Sequence, residues 1–334
     1  MWDLDRTNVI VVGYGSSGRR LHQPAINKAI QHLGQSNFSP IIHAVDPLLN
    51  NTPQSPGMIL HDSIPPVPVE IKTICHICTP TRGRYDVIGE VLAKGHKYLL
   101  IEKPAADNPT VIDSIAQMAR QYDAEILVVS VFSNSTAVAV LRNDARFRMI
   151  VPHSFHFRQD KSRYSRSRQN ADEHIFDIET PHQVALALDL FGPGELLHSS
   201  VTDMIIPNGT AIKNMGTGVV LIRHLSGVVS FLSSSLISPQ RERRATIGNR
   251  SGAEITINFP ASADDNVSTL SLGGNPIIFD DSPLDNCVIS AYRRFLSIMH
   301  DENNDTDFLP ESMSLQFQRG VVNILSSAKY YADQ

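Results

Sequence analysis

Cysteine is scarce in this chain, with three among 334 residues. Three thiols cannot all pair with one another, so the sequence predicts free cysteines and a reducing, cytoplasmic setting. Long apolar runs are missing as well. Nothing approaches the ~18 consecutive apolar residues of a membrane span. The opening MWDLDRTNVI carries acids and no long apolar run, so it does not read as a secretory signal. An excess of base is also lacking: 29 Lys and Arg stand against 34 Asp and Glu, a net charge of −5. A chain whose main partner is nucleic acid would be basic, which excludes that class. What remains is 42% hydrophobic and 19% charged, enough chain for two domains of roughly 150 residues each.

The first 130 residues alternate between two rhythms. Val9-Ile10-Val11-Val12 is a continuous apolar run, as a parallel strand covered on both faces requires. Further strands are read at 40–46, 70–78, 97–104 and 125–132, with helices at 17–33, 85–95 and 108–123 between them. Pro24 is expected to kink or restart the first helix because it has no amide donor. Asn108 and Pro109 form an N-cap and first-turn pair. This alternation predicts a doubly wound parallel sheet. Residues 47–70 hold six prolines and are read as one long loop, of the sort that is often functional or mobile. Beyond residue 130 the pattern becomes one helix, 181–191, then strand after strand joined by glycine turns, then two helices near 284–299 and 311–331. The expected fold is α/β, with a dinucleotide-binding domain over 1–130. An α+β domain over 131–334, with a largely antiparallel open sheet, would serve substrate binding and oligomerisation.

Four motifs carry chemistry. Gly13-Tyr14-Gly15-Ser16-Ser17-Gly18 fits GxGxxG between a strand and a helix, the context in which that pattern cradles a pyrophosphate. The helix N-terminus would add free amides and partial positive charge. The alternative is a tight turn with no ligand. Asp46 ends the second strand, where a carboxylate can hold the adenosine ribose and repel the extra phosphate of NADP. NAD is therefore expected rather than NADP, unless Asp46 only forms an Asp-Pro turn. Glu102 and Lys103, in LLIEKPAA, stand at the carboxyl end of a parallel strand, the edge where such sheets bind ligands. Lys103 would donate to a substrate oxygen there, or else reach out to solvent. His182, in DIETPHQVALALDLFG, sits in the first turn of a helix whose positive end favours the neutral imidazole, the form that accepts a proton. In that helix, capping accounts for Thr180, Pro181 and Gln183, with Gln183 completing a capping box. His182 itself either exchanges a proton or merely packs.

With these residues in place, the chain resembles the glucose–fructose oxidoreductase/inositol dehydrogenase (Gfo/Idh/MocA) family. The matching features are the GYGSSG turn, Asp46 after IIHAV, Thr79-Pro80 in CTPT and Glu102-Lys103-Pro104, in that order and spacing. The resemblance implies a Rossmann fold and makes Lys103 a catalytic and substrate-binding residue, with Thr79-Pro80 along the cofactor. It implies an oxidoreductase for the secondary alcohol or ketone of a sugar, sugar phosphate, amino sugar or cyclitol, working as a homodimer or homotetramer. The family commonly has Asp-x-x-x-His at the helix start. Here Asp177 lies five residues before His182 and Glu179 three before, with Ile178 at the usual place. Asp177 or Glu179 would orient the imidazole. The rival readings are a redox-neutral hydrolase or epimerase with retained NAD, and a non-enzymatic NAD-dependent sensor or scaffold.

Two further signals are weaker. In Cys75-His76-Ile77-Cys78, residues three apart on a strand face opposite ways, so no metal site is expected. His153 and His156 fail in the same way. The run Arg158, Lys161, Arg163, Arg166, Arg168 is read as a solvated loop. Its alternatives are a subunit contact or a clamp for an anionic substrate through Arg163 and Arg166.

Overall fold

In the computed structural model the described residues are 7–34, 41–48, 57–67, 71–167, 173–206, 209–262, 264–300, 311–332 and 334. The chain divides into two compact units, Met1–Ser130 with Leu284–Arg319, and Val131–Pro283 with Gly320–Gln334.

The first unit is built on six parallel strands, β1 (Thr7–Val12), β2 (Ile42–Val45), β3 (Met58–His61), β4 (Lys72–Ile77), β5 (Tyr98–Ile101) and β6 (Glu125–Val128), in the order β3-β2-β1-β4-β5-β6. Every pairing is parallel. Val9 to Val12, Ile74, Ile77 and Leu99 to Ile101 are buried, as apolar runs in a two-sided sheet must be. The expected long loop at 47–70 is not all loop. Met58–His61 is the edge strand, paired among the described residues only with β2. It escapes notice because it is four residues long and lies among prolines, and an edge strand needs only one row of hydrogen bonds. Asn108 caps the helix Pro109–Gln121, its side chain accepting from the Val111 amide at 3.1 Å. Pro24 does restart the first helix: a π-helical turn, Gly18–His22, leads into the α-helix Gln23–Leu33. The wider turn accommodates a residue that cannot donate.

The helix Pro283–Met299, read from sequence as part of the second domain, belongs from Leu284 onward to the first unit. Cys287, Val288, Ala291, Tyr292, Phe295, Leu296 and Met299 form its buried stripe at helical spacing. Arg294 pairs with Glu125 at 3.0 Å, and the Phe295 ring lies 5.9 Å from that of Tyr98. The closing helix, Leu315–Ala332, starts in the first unit and ends in the second.

The second unit holds an eight-stranded sheet of β7 (Pro152–Ser162), β8 (Gly194–Val201), β11 (Thr217–His224), β12 (Val229–Ser235), β13 (Ile237–Asn249), β14 (Glu254–Asn258), β15 (Val267–Ser271) and β16 (Ile277–Asp280). A small hairpin, β9 (Met204–Ile205) with β10 (Ala211–Ile212), stands apart from it. The order is β16-β15-β14-β13-β7-β12-β11-β8, antiparallel except for β7 with β12. On β7, Phe155 and Phe157 face the core while His156 and Arg158 face out. The core face is covered by the helix Thr180–Phe191. Its Gln183 amide donates to the carbonyls of Phe157 and Ser233 at 3.1 and 2.7 Å.

Candidate active site

The three glycines of the first turn have separate jobs. Gly13 has φ +86°, and a Cβ there would stand 2.8 Å from the Thr79 amide nitrogen, so only glycine lets the turn pass β4. A Cβ on Gly18 would stand 2.5 Å from the Gly13 carbonyl oxygen. Gly15 is the opposite case: a Cβ there meets no heavy atom within 4 Å. Its backbone is therefore open to a ligand at a turn followed by a helical start, where amides favour an anion. Thr79, across the turn, has a buried hydroxyl without a hydrogen-bond partner. These features fit a dinucleotide. Tyr14 is buried, which raises its pKa against the opposing charge of Arg19, and its hydroxyl donates to Gln23. Asp46 follows β2 and accepts from the Leu48 amide at 3.0 Å, so the Asp-Pro turn does form. One carboxylate oxygen suffices for that turn.

Arg84, which the sequence does not single out, ties the strand ends together. It is 3% exposed and donates to the Thr79 carbonyl at 2.5 and 3.2 Å, to the Glu102 carbonyl at 2.5 Å and to the Pro104 carbonyl. Burial lowers its pKa to about 10, with Glu102 and Cys78 opposing. The loop after β4 and the Glu102-Lys103-Pro104 step after β5 are thus held by one guanidinium.

The Glu102 carboxylate is the meeting point of the unit. One oxygen accepts from the Ser17 hydroxyl at 2.7 Å and contacts His22 Nε2 at 2.9 Å; the other accepts from the Lys103 amide at 3.1 Å. His22 Nδ1 lies 2.8 Å from His76 Nδ1, and His76 Nε2 lies 2.9 Å from the Tyr292 hydroxyl. Burial opposes charge on both His22 and Glu102. Yet the Cys78 side chain and Glu102 raise His22 to about 10, and His22, Lys103 and Ser17 hold Glu102 below the ordinary carboxylate range. Burial and the His22 charge push His76 well down. The sequence held one clue: a histidine inside the apolar strand TICHI must find a polar partner.

In the second unit, His182 is half-buried near the start of the helix Thr180–Phe191, its ring 5.6 Å from that of Phe132. The expected capping box is absent. Glu179 precedes the helix without a side-chain cap, Thr180 is its first residue, and Gln183 is turned into the sheet. The core contact outcompetes the cap because Gln183 is fully buried and must satisfy its amide. Asp177 pairs with Lys329 at 2.9 Å. Glu179 is buried, pairs with Lys161 and accepts from Gln159. Its backbone carbonyl receives the His182 amide at 3.2 Å.

The basic run is not a solvated loop over its first half. Residues 158–162 belong to β7 at the middle of the sheet, where alternation sends Arg158 outward to Asp160 and Glu242 and turns Gln159 inward. Arg163 is buried against Glu173 at 2.5 Å, and Arg166 is exposed on the short helix Tyr164–Ser167. Arg168 lies outside the described residues. Among the described residues no group of three or more His, Cys, Asp or Glu side chains is placed to hold a metal ion. No helix among them is long and apolar enough to cross a membrane.

A parallel sheet with a glycine-rich turn after β1 and an acid after β2 defines an NAD-binding Rossmann domain. Residues 7–130 match the oxidoreductase family with the NAD-binding Rossmann fold (GFO_IDH_MocA). No curated protein sequence matches the chain. Among solved structures, UDP-N-acetylglucosamine 3-dehydrogenase from Acidithiobacillus ferrooxidans is similar at 17% identity and TM-score 0.68, over 98% of this chain and 96% of that one. A 3-ketoreductase mutant from Actinomadura kijaniata, in complex with TDP-benzene and NADP, is similar at 11% identity and TM-score 0.70, over 97% of each chain. GenD2 of gentamicin A biosynthesis, in complex with NAD, is similar at 15% identity and TM-score 0.68, over 98% of this chain and 95% of that one. At these identities the likeness is one of fold.

Proposed function

We propose that this protein is an NAD-dependent oxidoreductase acting on a secondary alcohol, or its ketone, in a sugar, amino sugar, sugar phosphate or cyclitol, free or nucleotide-linked. The observation that carries the reading is the convergence of the open Gly15 backbone, the unpartnered Thr79 hydroxyl and the Glu102-Lys103 step at the carboxyl ends of β1, β4 and β5. The dehydrogenase and ketoreductase among the similar structures support the substrate class by analogy of fold alone.

Gly13, Tyr14, Gly15, Ser16, Ser17 and Gly18 would hold the pyrophosphate through backbone amides. Asp46 would hold the adenosine ribose, favouring NAD over NADP, and Thr79-Pro80 would line the nicotinamide side. Bound NAD supplies the hydride acceptor. Lys103 binds the reacting oxygen and stabilises charge as it develops there, and His182 takes the hydroxyl proton. Asp177 or Glu179 would orient His182 from the helix start. Both are paired with lysines, Asp177 with Lys329 and Glu179 with Lys161. Arg163, neutralised by Glu173, is a weaker anion ligand than the exposed Arg166.

The protein is further proposed to work as a homodimer or homotetramer through the outward face of the eight-stranded sheet, where His156 and Phe231 stand side by side with ring centroids 5.8 Å apart. The test of the activity is a panel of neutral sugars, sugar phosphates, nucleotide amino sugars and cyclitols with NAD and with NADP, followed at the reduced-nicotinamide absorbance band. Activity confined to phosphorylated compounds assigns Arg166 to the substrate. Turnover without net reduced nicotinamide replaces this reading with a redox-neutral one.

A further inference from the structure

The Rossmann turn and the Glu102-Lys103 step are joined by a buried polar chain that neither the family match nor the proposed roles account for. It runs Ser17, Glu102, His22, His76, Tyr292, with successive contacts of 2.7, 2.9, 2.8 and 2.9 Å. His22 and His76 are fully buried and Tyr292 is 1% exposed. Four separate parts of the chain contribute: the π-helical turn, the middle of β4, the end of β5 and the helix Pro283–Met299. Burying two imidazoles and a phenol costs stability unless each finds its bonds. An apolar packing at the same places would serve the fold alone, so the chain points to a positional role.

We propose that His22, backed by His76 and Tyr292, is a positioning residue for the cofactor turn: by bonding the Glu102 carboxylate it fixes Ser17 and the Lys103 amide against one rigid group. The carboxylate can only accept, so His22 Nε2 donates to it. The remaining nitrogen, Nδ1, faces His76 Nδ1, so one of these two must carry a proton and the other must not. With His22 doubly protonated, His76 Nδ1 accepts and its Nε2–H donates to Tyr292. With His22 singly protonated, His76 Nδ1 donates and its Nε2 accepts from Tyr292. Both arrangements satisfy every ring nitrogen. The groups that choose between them are Cys78 after β4 and Glu102 after β5, with Lys103, Ser17 and Arg84 acting through Glu102. Cys78 and Glu102 favour the doubly protonated ring and raise the His22 pKa against burial.

The proposal rests on the cofactor reading but not on any substrate, so its test uses NAD binding and the uncomplexed protein. Nitrogen-15 histidine spectra should show His22 as an imidazolium persisting far above neutral pH and His76 as the neutral Nε2–H form, and Glu102→Gln should release His22 to titrate at lower pH. By calorimetry, His22→Gln should weaken NAD binding about tenfold at about pH 6 and less at about pH 8, because losing the His22 bond and charge lets the buried Glu102 carboxyl rise from its lowered range. Tyr292→Phe removes only the last hydroxyl and should weaken binding about threefold in the same pH sense while the protein stays folded. Unchanged NAD affinity at both pH values in Tyr292→Phe and in folded His22→Gln, or a His22 whose Nε2 carries no proton toward Glu102, overturns the proposal. A dehydrogenase assay that fails on every substrate leaves these measurements standing.

Discussion

At the scale of single residues, some side chains and glycines hold the fold and others face a ligand. Gly15 and Gly18 are the cleanest pair. Gly18→Ala puts a methyl group against the Gly13 carbonyl and should cost about 2–3 kcal/mol of stability, read as a lower thermal midpoint. Gly15→Leu meets open space. It should leave stability within roughly 1 kcal/mol of wild type while weakening NAD binding at least about tenfold, because the side chain occupies the path of the pyrophosphate. Arg84→Met leaves three carbonyl groups at the strand ends without their donor. It should cost about 3 kcal/mol in denaturant unfolding. The sequence displayed the glycines because GxGxxG is a local pattern. It did not display Arg84, whose partners are carbonyl oxygens that every residue possesses.

At the scale of elements, the histidines give the first unit a pH profile with two arms. Burial lowers the pKa of His76 and His96, and His96 is held by Thr73 at 2.7 Å and by the Pro65 carbonyl at 2.9 Å. Their neutral forms stabilise the fold at and above the ordinary value of 6.5. That contribution fades as pH falls below it, because only the unfolded chain takes up the protons. His22 works in the other direction. Its raised pKa favours the protonated fold, a contribution fully present below 6.5 and lost as pH rises from there to about 10. Thermal midpoints followed from about pH 5 to about pH 10 should peak near neutrality, with His22→Gln flattening the alkaline arm. A peak unmoved by His22→Gln would contradict this. Strands β1, β4 and β5 and the capped helix Pro109–Gln121 were legible because apolar runs and caps act over a few residues. Strand β3 was not, since its one partner lies across a proline-rich segment. Nor was the contact between His22 and His76, 54 residues apart, because no local rule connects a π-helical turn to the middle of a strand.

For the whole molecule, the change from alternating elements to successive strands marked the two sheets, but not where the closing helices belong. An amphipathic stripe such as Cys287 to Met299 states that a helix is buried and is silent on which sheet buries it. The Asp177 and Glu179 question is of the same kind. Their lysine partners, Lys329 and Lys161, sit on the closing helix and on β7, and sequence spacing alone reaches neither. The outward face of the second sheet gives a prediction at this scale. Light scattering should report a dimer or tetramer, and Phe231→Glu should shift it to monomer by placing a charge in the buried centre of the contact. A wild-type monomer at working concentration would remove the assembly from the account.

The most direct measurement is reduced-nicotinamide absorbance for wild type and Lys103→Ala on whichever member of the sugar, amino sugar and cyclitol panel responds best, with NAD affinity measured in parallel. The account predicts reduced nicotinamide from wild type, a rate lower by about 10²–10⁴-fold in Lys103→Ala, and NAD affinity within about threefold between the two. A Lys103→Ala protein that turns over at the wild-type rate contradicts it, as does a wild type that binds NAD yet yields no reduced nicotinamide with any substrate class.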